Sequence, residues 1–334
     1  MKAVILGASG LIGQQFTRLI ASHPKIEIAA LYANNSAGKT VRDIWKLPFF
    51  DVPDSVANRE LESLSSIDED FDIAFSGLPT SVAGSLESDL RSKGKYVFSN
   101  ASAHRMDTDV PILIPEVNGE MIRRVEEQEG DGFIITNSNC SISGVSMYLN
   151  EIYNFQPFRE VHVSTYQAMS GAGFKGLSNE SYPNNVVPYI GGEEEKMEME
   201  GNKITGKDLQ INANCARVPV PDGHLASVNI KIDLDLEELK EYLRNLRSPL
   251  VGDYTIAPQR HLILLEEEDR PQPKLDAFMG EPSTAKGMAT SVGRLRYKNG
   301  VLKAFVLAHN TIRGGAGGSV LNAEFAMNRG YLNS

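Results

Sequence analysis

Short apolar runs alternate with stretches of helical spacing over the first 150 positions. Residues 2–6, KAVIL, form one such run; GASGLIG follows, and apolar positions then recur at helical spacing over residues 11–22. This predicts strand, glycine turn and helix. A second run at 26–31 follows Pro24, and strands are expected at 72–75 and 96–98, with a helix over 81–92 between them. Residues 133–136 read as a further strand and 142–153 as the helix after it. Such alternation predicts an α/β fold with a Rossmann-like parallel sheet in the N-terminal domain.

Beyond about residue 157 the runs lengthen and become β-rich, at 160–167, 225–232, 260–265 and 301–308. They predict an α+β second domain with a mixed sheet. The Gly-rich RGGAGGS at 313–319 leads into an amphipathic stretch at 320–328, expected to return to the first domain. The expected partition is therefore residues 1–138 plus 313–334 for one domain and 139–312 for the other. A length of 334 residues suits about two domains at roughly 150 residues each.

Charge and composition narrow the function. Lys plus Arg number 33 against 43 Asp plus Glu, a net charge of −10, the wrong sign for gripping a nucleic-acid backbone. No apolar run approaches the ~18 residues of a membrane helix, and MKAVILGASG reads as a strand rather than a leader. Only Cys140 and Cys215 occur, without metal-ligand spacing, so no disulfide framework and no metal site are expected, and free thiols suit the cytoplasm.

Four segments can carry chemistry. Gly7, Gly10 and Gly13 sit between a strand and a helix, where backbone can approach a pyrophosphate and helix N–H groups can face it, although a tight turn without ligand uses the same residues. After the second strand, LYANNSAGK offers Asn34, Asn35, Ser36 and Lys39 where an NAD enzyme carries a carboxylate, which points to NADP or to a plain polar loop. Cys140, in TNSNCSISG, lies between a strand and a helix; it is either a small buried thiol or a nucleophile whose thiolate the helix N-terminus stabilises. In NCARVPVPDGHLASV, Pro219 and Pro221 stiffen the chain between Arg217 and His224. A histidine of near-neutral pKa there could take and return a thiol proton, or merely satisfy a turn. Cys215 reads as structural.

Together these segments resemble aspartate-β-semialdehyde dehydrogenases, especially the archaeal and fungal branch. The resemblance runs over nearly the whole chain: GASGLIG, SNASAHRMDTDVPILIPEVN at 99–118, SNCSISG, YQAMSGAG at 166–173, EEEK at 193–196, RVPVPDGH at 217–224 and HNTIRGGAGG at 309–318. It implies a homodimer or homotetramer that reduces β-aspartyl phosphate with NADPH to aspartate semialdehyde and phosphate, toward lysine, threonine and methionine. By resemblance, Cys140 forms a thioester, His224 is acid and base, Gln167 orients the intermediate, and Asn139 with nearby backbone donors stabilises the oxyanion. Arg217 would hold the substrate carboxylate and Glu193 its ammonium, while Arg105 and Lys196, with Asn100 as a neutral helper, would bind the phosphate.

For the cofactor, the resemblance implies turn contacts from Gly7, Ser9, Gly10, Leu11, Ile12 and Gly13, 2′-phosphate contacts from Ser36 and Lys39, and contacts from Gly173 and Asn310. Asn35 departs from the arginine common in that loop, which leaves NAD as a second choice. Two other readings share these residues: a malonyl-CoA reductase of the same lineage, which has no substrate amino group for Glu193 to meet, and a non-catalytic NADP-binding sensor in which Cys140 is simply oxidisable.

Overall fold

The apolar runs of the N-terminal half pair side by side into a sheet covered on both faces. The computed structural model describes residues 1–68, 70–250 and 252–332. Strands β1 (Lys2–Leu6), β2 (Glu27–Tyr32), β3 (Ile73–Ser76), β4 (Tyr96–Ser99) and β5 (Phe133–Thr136) form a parallel sheet in the order β2-β1-β3-β4-β5. The remaining strands, β6 (Glu160–Gln167), β7 (Gln210–Arg217), β8 (His224–Lys231), β9 (Leu262–Leu265), β10 (Thr290–Lys298) and β11 (Val301–Ala308), form a second sheet in the order β7-β6-β8-β11-β10-β9. Its β6–β7 and β9–β10 pairs are parallel and the others antiparallel, so the sheet is mixed.

Helices α1 (Leu11–Ile20), α2 (Val41–Ile44), α3 (Thr80–Ser92) and α4 (Pro115–Asn118) belong to the first part of the chain. They are followed by α5 (Cys140–Phe155), α6 (Gly173–Leu177), α7 (Glu193–Thr205), α8 (Leu236–Asn245), α9 (Pro273–Asp276) and α10 (Gly317–Asn328). Ala3 and Ile5 of β1 pack in one core with Phe16 and Ile20 of α1 and with α10, whereas Val4 and Leu6 pack in another with Ala83 and Leu90 of α3. Burial on both faces is why these strands read as unbroken apolar runs. In the second sheet alternate residues such as Val161, Val163, Ile211, Val228, Ile230 and Val306 share a core with α5, α7 and α8, and the opposite face carries His162, Ser164, Tyr166, Asn212, Ser227 and Lys303.

Two strands escape the sequence reading for local reasons. Strand β7, QINANCAR, puts Gln210, Asn212 and Asn214 on the open face and so lacks a run of apolar letters. Strand β10 is interrupted by a register shift between Gly293 and Arg296, which breaks the two-residue period. The stretch at 320–328 is helical but not amphipathic: α10 is buried all round its circumference as far as Ala326, packed on α1 and β4. Its return to the first sheet is as expected, and Gly317, Gly318, Ser319 and Ala323 provide the small surfaces that let it sit so deep. Just before it, Arg313 forms a two-bond ion pair with Glu116 of α4, both side chains being essentially inaccessible to solvent.

Candidate active site

Topology gathers the site at one end of the second sheet. Gln167 ends β6 and Arg217 ends the parallel β7, in direct register with each other; His224 begins the antiparallel β8, opposite Ala308 at the end of β11. All three side chains lie in the buried alternation that faces α5 and α7. Cys140 opens α5 and Glu193 opens α7, so two helix N-termini and three strand ends converge.

The Cys140 Sγ lies 3.4 Å from Nε2 of His224. On the other side of the ring, the backbone N–H of Ala168 donates to Nδ1 at 3.0 Å, so the neutral imidazole carries its proton on Nε2, toward the sulfur. Asn139 caps α5: its Oδ1 accepts from the Ser141 N–H at 2.8 Å. The electrostatics correct the expectation of a helix-stabilised thiolate beside a near-neutral histidine. Burial, then the Glu193 carboxylate, push the Cys140 thiol up to about 12, against the opposing pull of Arg105 and Arg217. Burial, with Arg217 and His309 nearby, holds His224 well below the usual histidine range. In the resting site both groups are neutral, because desolvation outweighs one helix terminus.

Around this pair stand the charged groups. Arg217 donates through Nη1 to the Ala168 carbonyl at 2.8 Å, and the missing side chain of Gly171 makes room for it: a Cβ there would lie 2.5 Å from that nitrogen. Glu193 accepts from Asn139 Nδ2 at 3.1 Å and Gln167 Nε2 at 3.2 Å, and among the described residues no cation pairs with it. A buried carboxylate held by two neutral amides is poised for a cationic ligand. Arg105, also buried, donates to the Asn137 and Asn100 carbonyls and to Glu200. Lys196 lies one turn beyond Glu193, partly exposed. Asn100 is tied by its amide to Asn137 and Ser319.

Some of these side chains also make structural contacts in the resting site. The amides of Asn139 and Gln167 are occupied by Glu193 in the resting site. Asn310 accepts from the Gly223 N–H at 2.9 Å and donates to Ser170 at 2.8 Å, bracing the loop that delivers His224. Glu200, Asn137, Ser170 and Gly171 were not singled out from the sequence. For Glu200 the signal was available: it stands seven residues after Glu193, two helical turns along the same face of α7.

The glycine turn lies at the β1/β3 crevice, where such sheets bind nucleotides. Gly7 has φ +81°, and a Cβ on Gly13 would lie 2.2 Å from the Gly7 carbonyl oxygen, so only glycine lets α1 start this close to β1. Gly10 is the N-cap residue and no side chain caps α1, which leaves the helix N-terminus open to an anion. Ser36 and Lys39 lie on the loop after β2, Lys39 exposed, and Gly173 begins α6 with φ +68° beside α1. These residues fit a phosphorylated dinucleotide. Among the described residues no cluster of His, Cys, Asp and Glu could hold a metal ion, and no helix is long and apolar enough to cross a membrane.

A dinucleotide-binding sheet joined to a second domain that brings a cysteine, a histidine and buried charged side chains to one place has the make-up of an NADP-dependent oxidoreductase. Residues 2–125 match the family model described as semialdehyde dehydrogenase, NAD binding domain, and residues 149–313 the one described as semialdehyde dehydrogenase, dimerisation domain. An aspartate-semialdehyde dehydrogenase of Methanothermobacter thermautotrophicus is 40% identical, over 96% of this chain and 97% of that protein. A malonyl-CoA reductase (NADP) of Metallosphaera sedula is 34% identical, over 99% and 98%. The crystal structure of the Candida albicans aspartate-semialdehyde dehydrogenase with NADP superposes with a TM-score of 0.86 at 33% identity, covering 99% of both chains. The chain belongs to the semialdehyde dehydrogenase family.

Proposed function

We infer that the protein is an NADP-dependent phosphorylating aspartate-semialdehyde dehydrogenase, reducing β-aspartyl phosphate to aspartate semialdehyde on the route to lysine, threonine and methionine. The observation that carries this reading is the Cys140 thiol 3.4 Å from His224, enclosed by the opposite of each substrate charge. Arg217 faces the carboxylate, Glu193 the ammonium, and Arg105 with Lys196, helped by Asn100, the phosphate. The Cys140 thiol gives up its proton to solvent and, as thiolate, adds to the acyl carbon; the C–S bond forms, the C–O bond to phosphate breaks, and the phosphate departs with that bond's electron pair. NADPH, when bound, supplies the hydride that reduces the thioester.

His224, with its proton on Nε2, donates to the sulfur and to the oxygen of the tetrahedral intermediates. Full acid–base exchange would move the ring proton to Nδ1 and break the Ala168 bond. Asn139 and Gln167 hold Glu193 in place for the ammonium, and the spare amide proton of Asn139 serves the oxyanion. The turn of Gly7, Ser9, Gly10, Leu11, Ile12 and Gly13 receives the pyrophosphate, Ser36 and Lys39 the 2′-phosphate, and Gly173 and Asn310 border the nicotinamide. Residues 1–138 with 313–334 make up the cofactor domain and 139–312 the catalytic and dimerisation domain.

The open face of the second sheet, centred on Tyr166, Leu225 and Phe305, covers itself with a second copy; its match to a dimerisation domain supports this. Tyr166→Asp is expected to shift the sedimenting species toward monomer. The two unpaired thiols support a reducing compartment, the cytoplasm. The deciding experiment follows NADPH formation from aspartate semialdehyde and NADP with and without phosphate, beside malonyl-CoA with NADPH. Strict phosphate dependence is expected. Reduction of malonyl-CoA alone would move the protein to the reductase reading, and turnover of neither substrate to that of a sensor.

A further inference from the structure

Glu200 has no counterpart among the substrate charges, yet it is a buried carboxyl group, 2% exposed, in the wall of the site. Its two oxygens are divided. Oε2 accepts from the backbone N–H of Asn139 at 2.7 Å, at the start of the helix that carries Cys140, and Oε1 accepts from Nη1 of Arg105 at 3.0 Å. Arg105 is fixed on its other sides by the Asn137 carbonyl, 2.9 Å from Nε, and the Asn100 carbonyl, 2.8 Å from Nη2. Three of the five guanidinium N–H groups are thereby used, and two are left for an incoming oxyanion. The main chain of the same residue is anchored from the same helix: Lys203 donates to the carbonyls of Arg105, Asp107 and Val110 at 2.6, 2.7 and 2.9 Å.

We propose that Glu200 is a positioning residue for the phosphate step, a single carboxylate that sets the distance and angle between the guanidinium of Arg105 and the nucleophile on α5. Helix α7 is the ruler. Glu193 at its first turn faces the substrate ammonium, and Glu200, seven residues on, holds the arginine, so ammonium and phosphate are measured from one rigid rod. The charge is needed because a buried guanidinium held only by carbonyls would be uncompensated, and its remaining freedom would spoil the alignment on which acyl transfer depends. The proposal rests on the reading of Arg105 as the phosphate ligand.

Glu200→Gln tests it, since the amide keeps the shape and loses the charge and one of the two bonds. In the phosphate-dependent oxidation of aspartate semialdehyde, kcat/KM for phosphate is expected to fall by about 10²-fold, the order that a misplacement of about 1 Å can cost. The KM values for aspartate semialdehyde and NADP should stay within about twofold. Arg105→Ala should raise the KM for phosphate by itself, and Glu200→Gln added to it should raise that KM no further. A phosphate KM unchanged in Glu200→Gln but raised in Arg105→Ala overturns the role of Glu200 alone; one unchanged in Arg105→Ala overturns the phosphate reading of Arg105. Equal rises in all three KM values would reduce Glu200 to a structural ion pair. If Glu200→Gln does not fold, Glu200→Asp, too short to span both partners, must show the same selective rise, and a folded Glu200→Asp without it sinks the proposal.

Discussion

A Cβ placed on Gly314 would stand 2.8 Å from the Cα of Cys140 and 2.9 Å from its Cβ. The backbone after β11 therefore lies directly against Cys140, with no side chain between them. That contact joins the segment entering α10 to the first turn of α5.

Gly314→Ala is the sharpest steric probe of this arrangement. The clashing atoms are backbone and Cβ, which cannot swing aside, so a destabilisation of about 1–3 kcal/mol is expected. The melting temperature should fall by several degrees and kcat by about tenfold or more as Cys140 is displaced. Unchanged kcat in the folded variant would mean that the sulfur has slack.

Cys140→Ala removes the sulfur proposed to form the thioester while leaving the glycine turn untouched, the two being on different elements. Turnover should vanish and NADP affinity, read by fluorescence titration, should stay within about threefold. Residual phosphate-dependent NADPH formation would rule out covalent catalysis.

Arg217→Lys keeps a positive charge near the Ala168 carbonyl but loses the planar fork. Hydrogen bonds to charged groups are worth about 1.5–3 kcal/mol, so the KM for aspartate semialdehyde should rise by roughly 10- to 100-fold. Identical kinetics would show that another group holds the carboxylate.

The pH dependence of thiol reactivity follows from the site's charge state. An acid whose pKa is raised is protonated over a wider range, and the Cys140 thiol, pushed up to about 12, stays neutral across the physiological range. Because the thiolate is the reacting form, alkylation of the free enzyme by iodoacetamide should climb about tenfold per pH unit from pH 6 to 9. A plateau beginning below pH 8 would instead reveal a thiolate–imidazolium pair.

Much of the architecture was legible because burial leaves a periodic trace. KAVIL, FIIT and EVHVSTYQ became strands over the residues that their patterns indicated, and the α/β fold with a mixed second sheet followed from them. The trace fails where a strand shows polar residues to an open face, as β7 does, or where a helix is buried all round, as α10 is. In the site, Cys140, His224 and Arg217 announced themselves through segment context and Glu193 only through the family resemblance, and the structure brings the four together. Glu200 did not, since within EEEKMEME nothing but its spacing separates it from the solvated glutamates beside it.

What the chain decides alone is the inventory: which residues can bear charge or nucleophilicity, and which local periods form strands and helices. Both are properties of neighbours in sequence. The protonation state of that inventory belongs to the fold, because desolvation and Coulomb energies depend on groups far apart in the chain: Cys140 is set by Glu193, Arg105 and Arg217, His224 by Arg217 and His309, and its ring proton by the N–H of Ala168. A helix start after a strand marked the thiol, and tertiary packing decided that its pKa moves up and not down.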